Sequence, residues 1–418
     1  MLAATCCGVL ACVCSSSPAQ TTRAAGDRGR LQIEVRLPKT ATARPITGHT
    51  VPLEAQLSDK PKDELPATEA SQEPFDVDEL FRRSLVIDGT VNYFSTTTGS
   101  GIGQPDFNRD NQGRSVKQAT GIDIGGITVS TLASFQRQVA NLESGRFRGA
   151  MIIRTSADID KAVQEKKYGI IFYAQQHYPL NGTIANIRHW HDEGLRIVQL
   201  QYSASDPNQG PSERLGSGPT QEGGLTELGR KVVHELIRLG IVVDLAHCNT
   251  QTTIDAAAIA KQYKVPITAN HVGARNVKTK DGRWLARYAR NATDEKLIAV
   301  KETGGVVGVM GYGPYLRGPY QELRRTPSSA NIPPASVDDY VAHVDYLVKL
   351  IGIDHVGLCT DGYLDGTMAH NRKADGILDS PRRWKEVVQR LHERDYSVTD
   401  LQKIMGLNFL RVYRRVFE

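Results

Sequence analysis

Three residues suited to metal-assisted hydrolysis stand where apolar runs of the sequence stop. His247 closes Val242-Val243-Asp244-Leu245-Ala246-His247, His271 closes Ile267-Thr268-Ala269-Asn270-His271, and Asp361 closes Gly357-Leu358-Cys359-Thr360-Asp361. Neutral imidazole and carboxylate are the usual ligands of zinc and similar ions. An ion so held polarises a carbonyl and lowers the pKa of bound water to about 7. One such histidine alone reads as a hydrogen-bonded core or rim residue; agreement at three run ends reads as a site. Other chemistries find little support. The body of the chain contains no Gly-x-Ser-x-Gly elbow, no Gly-x-x-x-x-Gly-Lys-Ser/Thr loop and no Cys-x-x-Cys pair. Gly99-Ser100-Gly101-Ile102-Gly103 lacks the spacing of a dinucleotide fingerprint. His189-Trp190-His191 falls in a helical segment, where adjacent side chains point in different directions, so these two histidines read as solvated or structural.

For the three residues to converge, their runs must be strands that end on one side of the molecule. Eight short apolar runs follow one another, at 85–87, 122–129, 169–173, 195–202, 241–247, 266–271, 305–310 and 355–361. Segments of helical period lie between them. The clearest extends from Thr226 to Leu239: Thr226 can cap it, Leu228, Val232 and Leu236 share one face at four-residue spacing, and Gly240 supplies the stop. Continuous apolar strands alternating with helices predict a parallel sheet covered on the outside. Eight repeats predict its closure into an α/β fold, a (β/α)₈ TIM barrel, as a single domain over residues 74–418. Working residues of such barrels emerge at the C-terminal strand ends, where His247, His271 and Asp361 fall.

Several segments carry a resemblance. They are Val86-Ile87-Asp88-Gly89, Leu225-Thr226-Glu227-Leu228-Gly229, the run ending in His247, and Asn270-His271-Val272-Gly273-Ala274-Arg275. Arg290-Asn291-Ala292-Thr293-Asp294, Glu302-Thr303-Gly304-Gly305-Val306, Gly352-Ile353-Asp354-His355-Val356-Gly357-Leu358 and Gly406-Leu407-Asn408-Phe409-Leu410-Arg411-Val412 continue it. In order and spacing the chain from about Phe75 onward resembles the membrane (renal) dipeptidase family of amidohydrolase-type barrels. The resemblance implies a two-zinc centre built from His-x-Asp after strand one, a bridging Glu after strand three, histidines after strands five and six, and an Asp after strand eight beside the metal-bound water. Carried over by position, His247, His271 and Asp361 are the metal ligands that remain, with Asp361 also the catalytic base. The other positions are substituted. Asp88-Gly89-Thr90-Val91-Asn92 stands where the family has Asp-Gly-His-x-Asp, and counting back from Gly194 puts Gln175 at the bridging Glu. His177, close by, is an alternative donor. Tyr202 falls at the family's substrate-contacting His, and Arg290 matches the Arg that pairs with the substrate's terminal carboxylate, a task suited to its bidentate fork.

Thr90 cannot replace an imidazole over the same distance, and Asn92 and Gln175 offer only neutral carbonyl oxygens, which bridge two zinc ions poorly. The expected cofactor is therefore one zinc ion on His247, His271 and Asp361, helped by Gln175, or no ion at all. The main expectation is a dipeptidase-like metallohydrolase acting on a small peptide-like, carboxylated amide. The alternative is a non-catalytic barrel that binds a small carboxylated ligand. An inert scaffold would not explain why all four of His247, His271, Asp361 and Arg290 are kept.

The 418 residues are 40% hydrophobic and 23% charged, ordinary proportions for a globular protein. The net charge of +5 is spread thinly, with short groups such as Arg324-Arg325 and Arg414-Arg415 and no basic stripe interleaved with aromatics, so no nucleic-acid partner is expected. A homodimer remains an option. Four of the six cysteines, Cys6, Cys7, Cys12 and Cys14, crowd the start, which excludes a disulfide-built fold. Residues 1–20 contain an apolar stretch too short to cross a bilayer as a mature helix. It reads as an export signal, and Val9-Leu10-Ala11-Cys12 loosely resembles a lipoprotein cleavage box. A periplasmic or membrane-anchored location follows as an expectation. Residues 21–73 read as a low-complexity linker.

Overall fold

Among the described residues nine parallel strands, separated by helices, make up the sheet: β1 Ile87–Asp88, β2 Ile124–Val129, β3 Ala150–Ile152, β4 Tyr168–Ala174, β5 Leu195–Gln199, β6 Val242–Asp244, β7 Thr268–Val272, β8 Val306–Met310 and β9 Val356–Cys359. This computed structural model describes residues 75–92, 107, 113–129, 131–175, 183–202, 214–318, 335–364 and 380–417. The expected leader and linker, the 99–103 loop and His177 lie outside these residues. The strand order is β2-β1-β9-β8-β7-β6-β5-β4-β3, and β2 also pairs with β4 from Ile124↔Gly169 to Val129↔Ala174. Eight strands thus close on themselves as the expected (β/α)₈ barrel.

The ninth strand was not expected. β3 pairs Ala150, Met151 and Ile152 with the first half of β4, while β5 takes β4's second half. Three residues carry too little periodicity to be distinguished from a loop. The strands are also shorter than the apolar runs. Of the run 241–247 only Val242–Asp244 is extended, and the remainder forms the loop that presents His247.

Strands buried on both faces explain the unbroken apolar runs: all seven residues of β4 are buried. The helix Glu227–Arg238 forms as its sequence dictates. Thr226 caps it by accepting from the Gly229 N–H, and Gly240 takes a left-handed φ of 71° after its end. It buries Val232, Val233, Leu236 and Ile237, each contributing roughly 1.5–3 kcal/mol of hydrophobic stabilisation.

The closing helix Asn408–Val416 places Phe409, Val412, Tyr413 and Val416 in one cluster with Ile87, Ile124, Ile171, Val306 and Cys359 of the strands. Asn408 Nδ2 donates to the carbonyls of Ile353 and Val356, both at 2.8 Å. That helix therefore fixes the start of β9, the strand that delivers Asp361. No described helix is long and apolar enough to cross a membrane.

Candidate functional site

His271 sits within β7 at a break in register, because the β7–β8 pairing shifts between Ala269 and Val272, and its φ is 41°. A bulge of this kind re-aims a side chain, and the left-handed backbone costs of order 1–3 kcal/mol for a residue with a Cβ. Asp361, just after β9, is held in the same region at φ 54°, its N–H donating to the Thr90 carbonyl at 2.8 Å. Two of the three residues singled out by the sequence thus carry local strain, Asp361 being tied to the Thr90 carbonyl and the His271 carbonyl accepting from Arg290 Nη2.

His247 and His271 converge, with their Nε2 atoms 3.0 Å apart. The Tyr202 ring stacks on His247 with centroids 4.6 Å apart and is 42% exposed, so it forms the solvent side of the pair. Burial, first, and the Arg290 guanidinium, second, hold both imidazoles well below the usual histidine range. Both are therefore neutral at pH 7, the form that ligates a metal. The Asp361 carboxyl is pushed up to about 7, chiefly by burial; Arg290 pulls it down and Asp88 adds to the rise. A group poised there can take or give a proton near neutrality. Among the described residues no three His, Cys, Asp or Glu side chains stand close enough to hold an ion.

The side chains of Thr90 and Asn92 are engaged by neighbours. Thr90 is buried with Oγ1 3.3 Å from His271 Nδ1. Asn92 accepts a hydrogen bond through its side-chain oxygen from the Thr128 hydroxyl. At Gln175 it is the main-chain carbonyl, not the side chain, that accepts from Gln199 Nε2 at 2.9 Å. Between β1 and these positions lies Gly89, where a Cβ would come within 2.6 Å of Cys359 Sγ and of the Phe409 ring, so the Asp88-Gly89 step is fixed by packing.

Arg290 is buried, and its Nη1 and Nη2 donate to the carbonyls of Ala246 at 2.9 Å and His271 at 3.1 Å. It also lines a cavity of about 470 Å³ together with Cys248, Asn249, Thr250, Arg275 and Lys296. Sequence reasoning missed two buried carboxylates that organise the strand ends. Asp244 accepts from Tyr173 Oη, Thr268 Oγ1, Asn270 N and Ala246 N at 2.7–3.0 Å, joining β4, β6 and β7. Asp88 accepts from Thr360 N at 2.9 Å and Trp384 Nε1 at 3.0 Å, and its carboxyl is pushed up to about 6 by burial, against those hydrogen bonds. The available signal was a carboxylate inside an apolar run for Asp244 and directly after one for Asp88.

The residues present do not fit two zinc ions. Four positive charges would face one carboxylate, Asp361, and three neutral side chains at Thr90, Asn92 and Gln175, with Arg290 and Lys296 buried beside His247. They do fit one ion at the imidazole pair. Two nitrogens on a tetrahedral zinc stand about 3.3 Å apart, close to the observed Nε2 separation. Two protein donors are fewer than the usual three of a catalytic zinc, so such an ion would be held less tightly.

A sequence model described as "Membrane dipeptidase (Peptidase family M19)" matches residues 133–418. An uncharacterized dipeptidase of Schizosaccharomyces pombe is 25% identical over 256 residues, which is 60% of this chain and 53% of that protein. Dipeptidase aclJ of Aspergillus oryzae is 28% identical over 238 residues, 56% of this chain and 48% of that one. The chain spans about half the length of the curated relatives it matches. Among solved structures, an amidohydrolase from Pseudomonas aeruginosa aligns with a TM-score of 0.61 at 23% identity, over 82% of this chain and 99% of that one. A likeness at that identity speaks for the barrel alone.

Proposed function

Because the chain belongs to the membrane dipeptidase family, we propose that it is a metal-assisted hydrolase of dipeptides or similar small carboxylated amides, working with one ion. The convergence of two neutral imidazoles, His247 and His271, at 3.0 Å between Nε2 atoms carries this reading. An ion bound there would supply polarisation of the amide carbonyl and a more acidic water. Asp361, poised near pH 7, takes the proton from the attacking water and returns it to the leaving amine. Arg290, at the wall of the cavity, attracts the substrate's terminal carboxylate, and Tyr202 flanks the open side of His247. The relatives' description as dipeptidases supports the substrate class.

A second reading, a non-catalytic barrel that binds a small carboxylated ligand, is favoured by the internal hydrogen bonds of Thr90 and Asn92. Metal content per chain, measured on protein purified without chelators alongside dipeptide turnover, decides between them. About one zinc-type ion with turnover is the expected result. No ion and no turnover, with a carboxylated ligand still bound, would establish the second reading instead.

A further inference from the structure

Lys296 is out of place by every local rule. It lies in the first turn of the helix Asp294–Glu302, the end where the helix dipole disfavours a cation, and it is only 2% exposed. A lysine is seldom buried this deeply unless its charge is engaged. Its ammonium donates to three backbone carbonyls, those of Leu245 at 2.7 Å, Ala246 at 3.0 Å and Cys248 at 2.8 Å. These carbonyls bracket His247 on both sides. In its charged form the group has three protons, so each meets one acceptor and none is left for a ligand, while burial pushes its pKa down to about 7.

Arg290 completes the arrangement. It shares the Ala246 carbonyl with Lys296 and reaches across to the His271 carbonyl, so the two cations tie the loop after β6 to the bulge of β7. The loop's amides are also fixed: Leu245 N donates to Thr268 O at 2.9 Å, Ala246 N to Asp244 Oδ1 at 3.0 Å and Cys248 N to Leu245 O at 3.0 Å. On the carbonyl side Leu245 O also accepts from Cys248 N and Ala246 O from Arg290 Nη1, while Lys296 joins all three carbonyls through one group. Without it, three acceptors in the interior would lose a charged donor together.

We propose that Lys296 is a positioning residue whose ammonium, by gripping the carbonyls of Leu245, Ala246 and Cys248, holds His247 at the separation from His271 that lets both imidazoles bind one ion. This rests on the reading of that pair as a single-ion site. The effect acts through the loop backbone, since Lys296 donates to the residues around His247 and not to the imidazole itself.

The test uses the full chain with cobalt(II) as probe, read by its visible spectrum on titration, together with amide exchange at residues 245–249. Lys296→Met keeps the stem and removes the donor. Val300→Ala, in a fully buried position on the same helix, serves as the destabilised control. Lys296→Met should weaken cobalt binding by about tenfold or more, as loss of a supporting contact behind a metal ligand does, and should speed exchange at 245–249 by a similar factor. Val300→Ala should leave both within about twofold while lowering the melting temperature. If Lys296→Met does not fold, Lys296→Gln, which retains two donors, should show both changes to a smaller extent. Wild-type cobalt affinity and wild-type exchange at 245–249 in the folded Lys296 variant, or equal losses in Val300→Ala, overturn the proposal. Should the wild-type protein bind no cobalt, the single-ion reading fails, and the exchange measurement alone then judges Lys296.

Discussion

The ring of strand ends has two unlike halves. On the side of β6 and β7, His247 and His271 face each other, and buried cations brace the backbone that carries them. On the side of β1 and β2, the polar residues have turned to one another and to their neighbours: Thr90 bonds His271, Asn92 bonds Thr128, and Asp88 is enclosed by Thr360 and Trp384. One half retains donors able to meet a metal, and the other has become a hydrogen-bonded wall. On the proposed reading of positions 90 and 92 as substituted ligand positions, each replacement finds a partner among its neighbours. A buried Thr with no partner would cost about 1–3 kcal/mol, and Thr90 has His271 within hydrogen-bond reach.

Removing an imidazole breaks the comparison most directly. His247→Ala or His271→Ala leaves one donor, so ion affinity should fall by about two orders of magnitude or more, measured by cobalt titration or by metal content after dialysis. An unchanged ion content in both variants would place the ion elsewhere. The converse change tests whether the wall can be reopened. Thr90→His, Asn92→Asp and Gln175→Glu together should raise the count from about one ion per chain towards two. Position 90 is fully enclosed, so the larger imidazole should also lower the melting temperature, overpacking typically costing about 1–3 kcal/mol. A stable triple variant that still holds one ion would show that the wall, and not the missing donors, sets the count.

The legible parts were those with a periodic or positional basis. Run lengths and the Thr226–Gly240 helix pattern predicted the barrel, and His247 and His271 could be paired because both fall at ends of apolar runs. β3 was invisible because Ala150-Met151-Ile152 has no period to read. Lys296 was invisible for a different reason: in Asp294-Glu295-Lys296 it looks like one member of a solvated charged turn, and only the path of the loop after β6 turns it inward. The partners of Thr90 and Asn92 depend on contacts more than thirty residues away in sequence, which no local pattern encodes.

Acid–base behaviour sharpens the contrast between the halves. Asp88, on the closed side, has a folded-state pKa of about 6, raised by burial from the ordinary carboxyl value of 3.8. The folded chain thus holds a proton that the unfolded chain releases. Stability from this group is fully present below about pH 4 and is lost as pH rises through about 6. The melting temperature should therefore decline between about pH 4 and 6.5 through this group, and Asp88→Asn, which cannot ionise, should show a shallower decline. An identical slope in the variant would assign the effect to other buried carboxyls, such as Asp244 or Asp361, whose values are also raised.

The smallest change expected joins the two halves. For His271 to present the Nε2 lone pair, its proton must sit on Nδ1, and the acceptor 3.3 Å from Nδ1 is Thr90 Oγ1. Thr90→Val keeps the shape and removes the acceptor. The buried Nδ1–H then has no partner there, and the tautomer with the proton on Nε2 gains ground, which blocks that nitrogen from a metal. At 3.3 Å the bond is long and between neutral groups, worth about 1 kcal/mol, so ion affinity should fall by about fivefold while the ion count stays the same. Thr90→Ser, which retains the hydroxyl, should restore most of the loss. If Thr90→Val binds the ion as wild type does, the Thr90 hydroxyl fills space on the closed side and does nothing for the histidine pair.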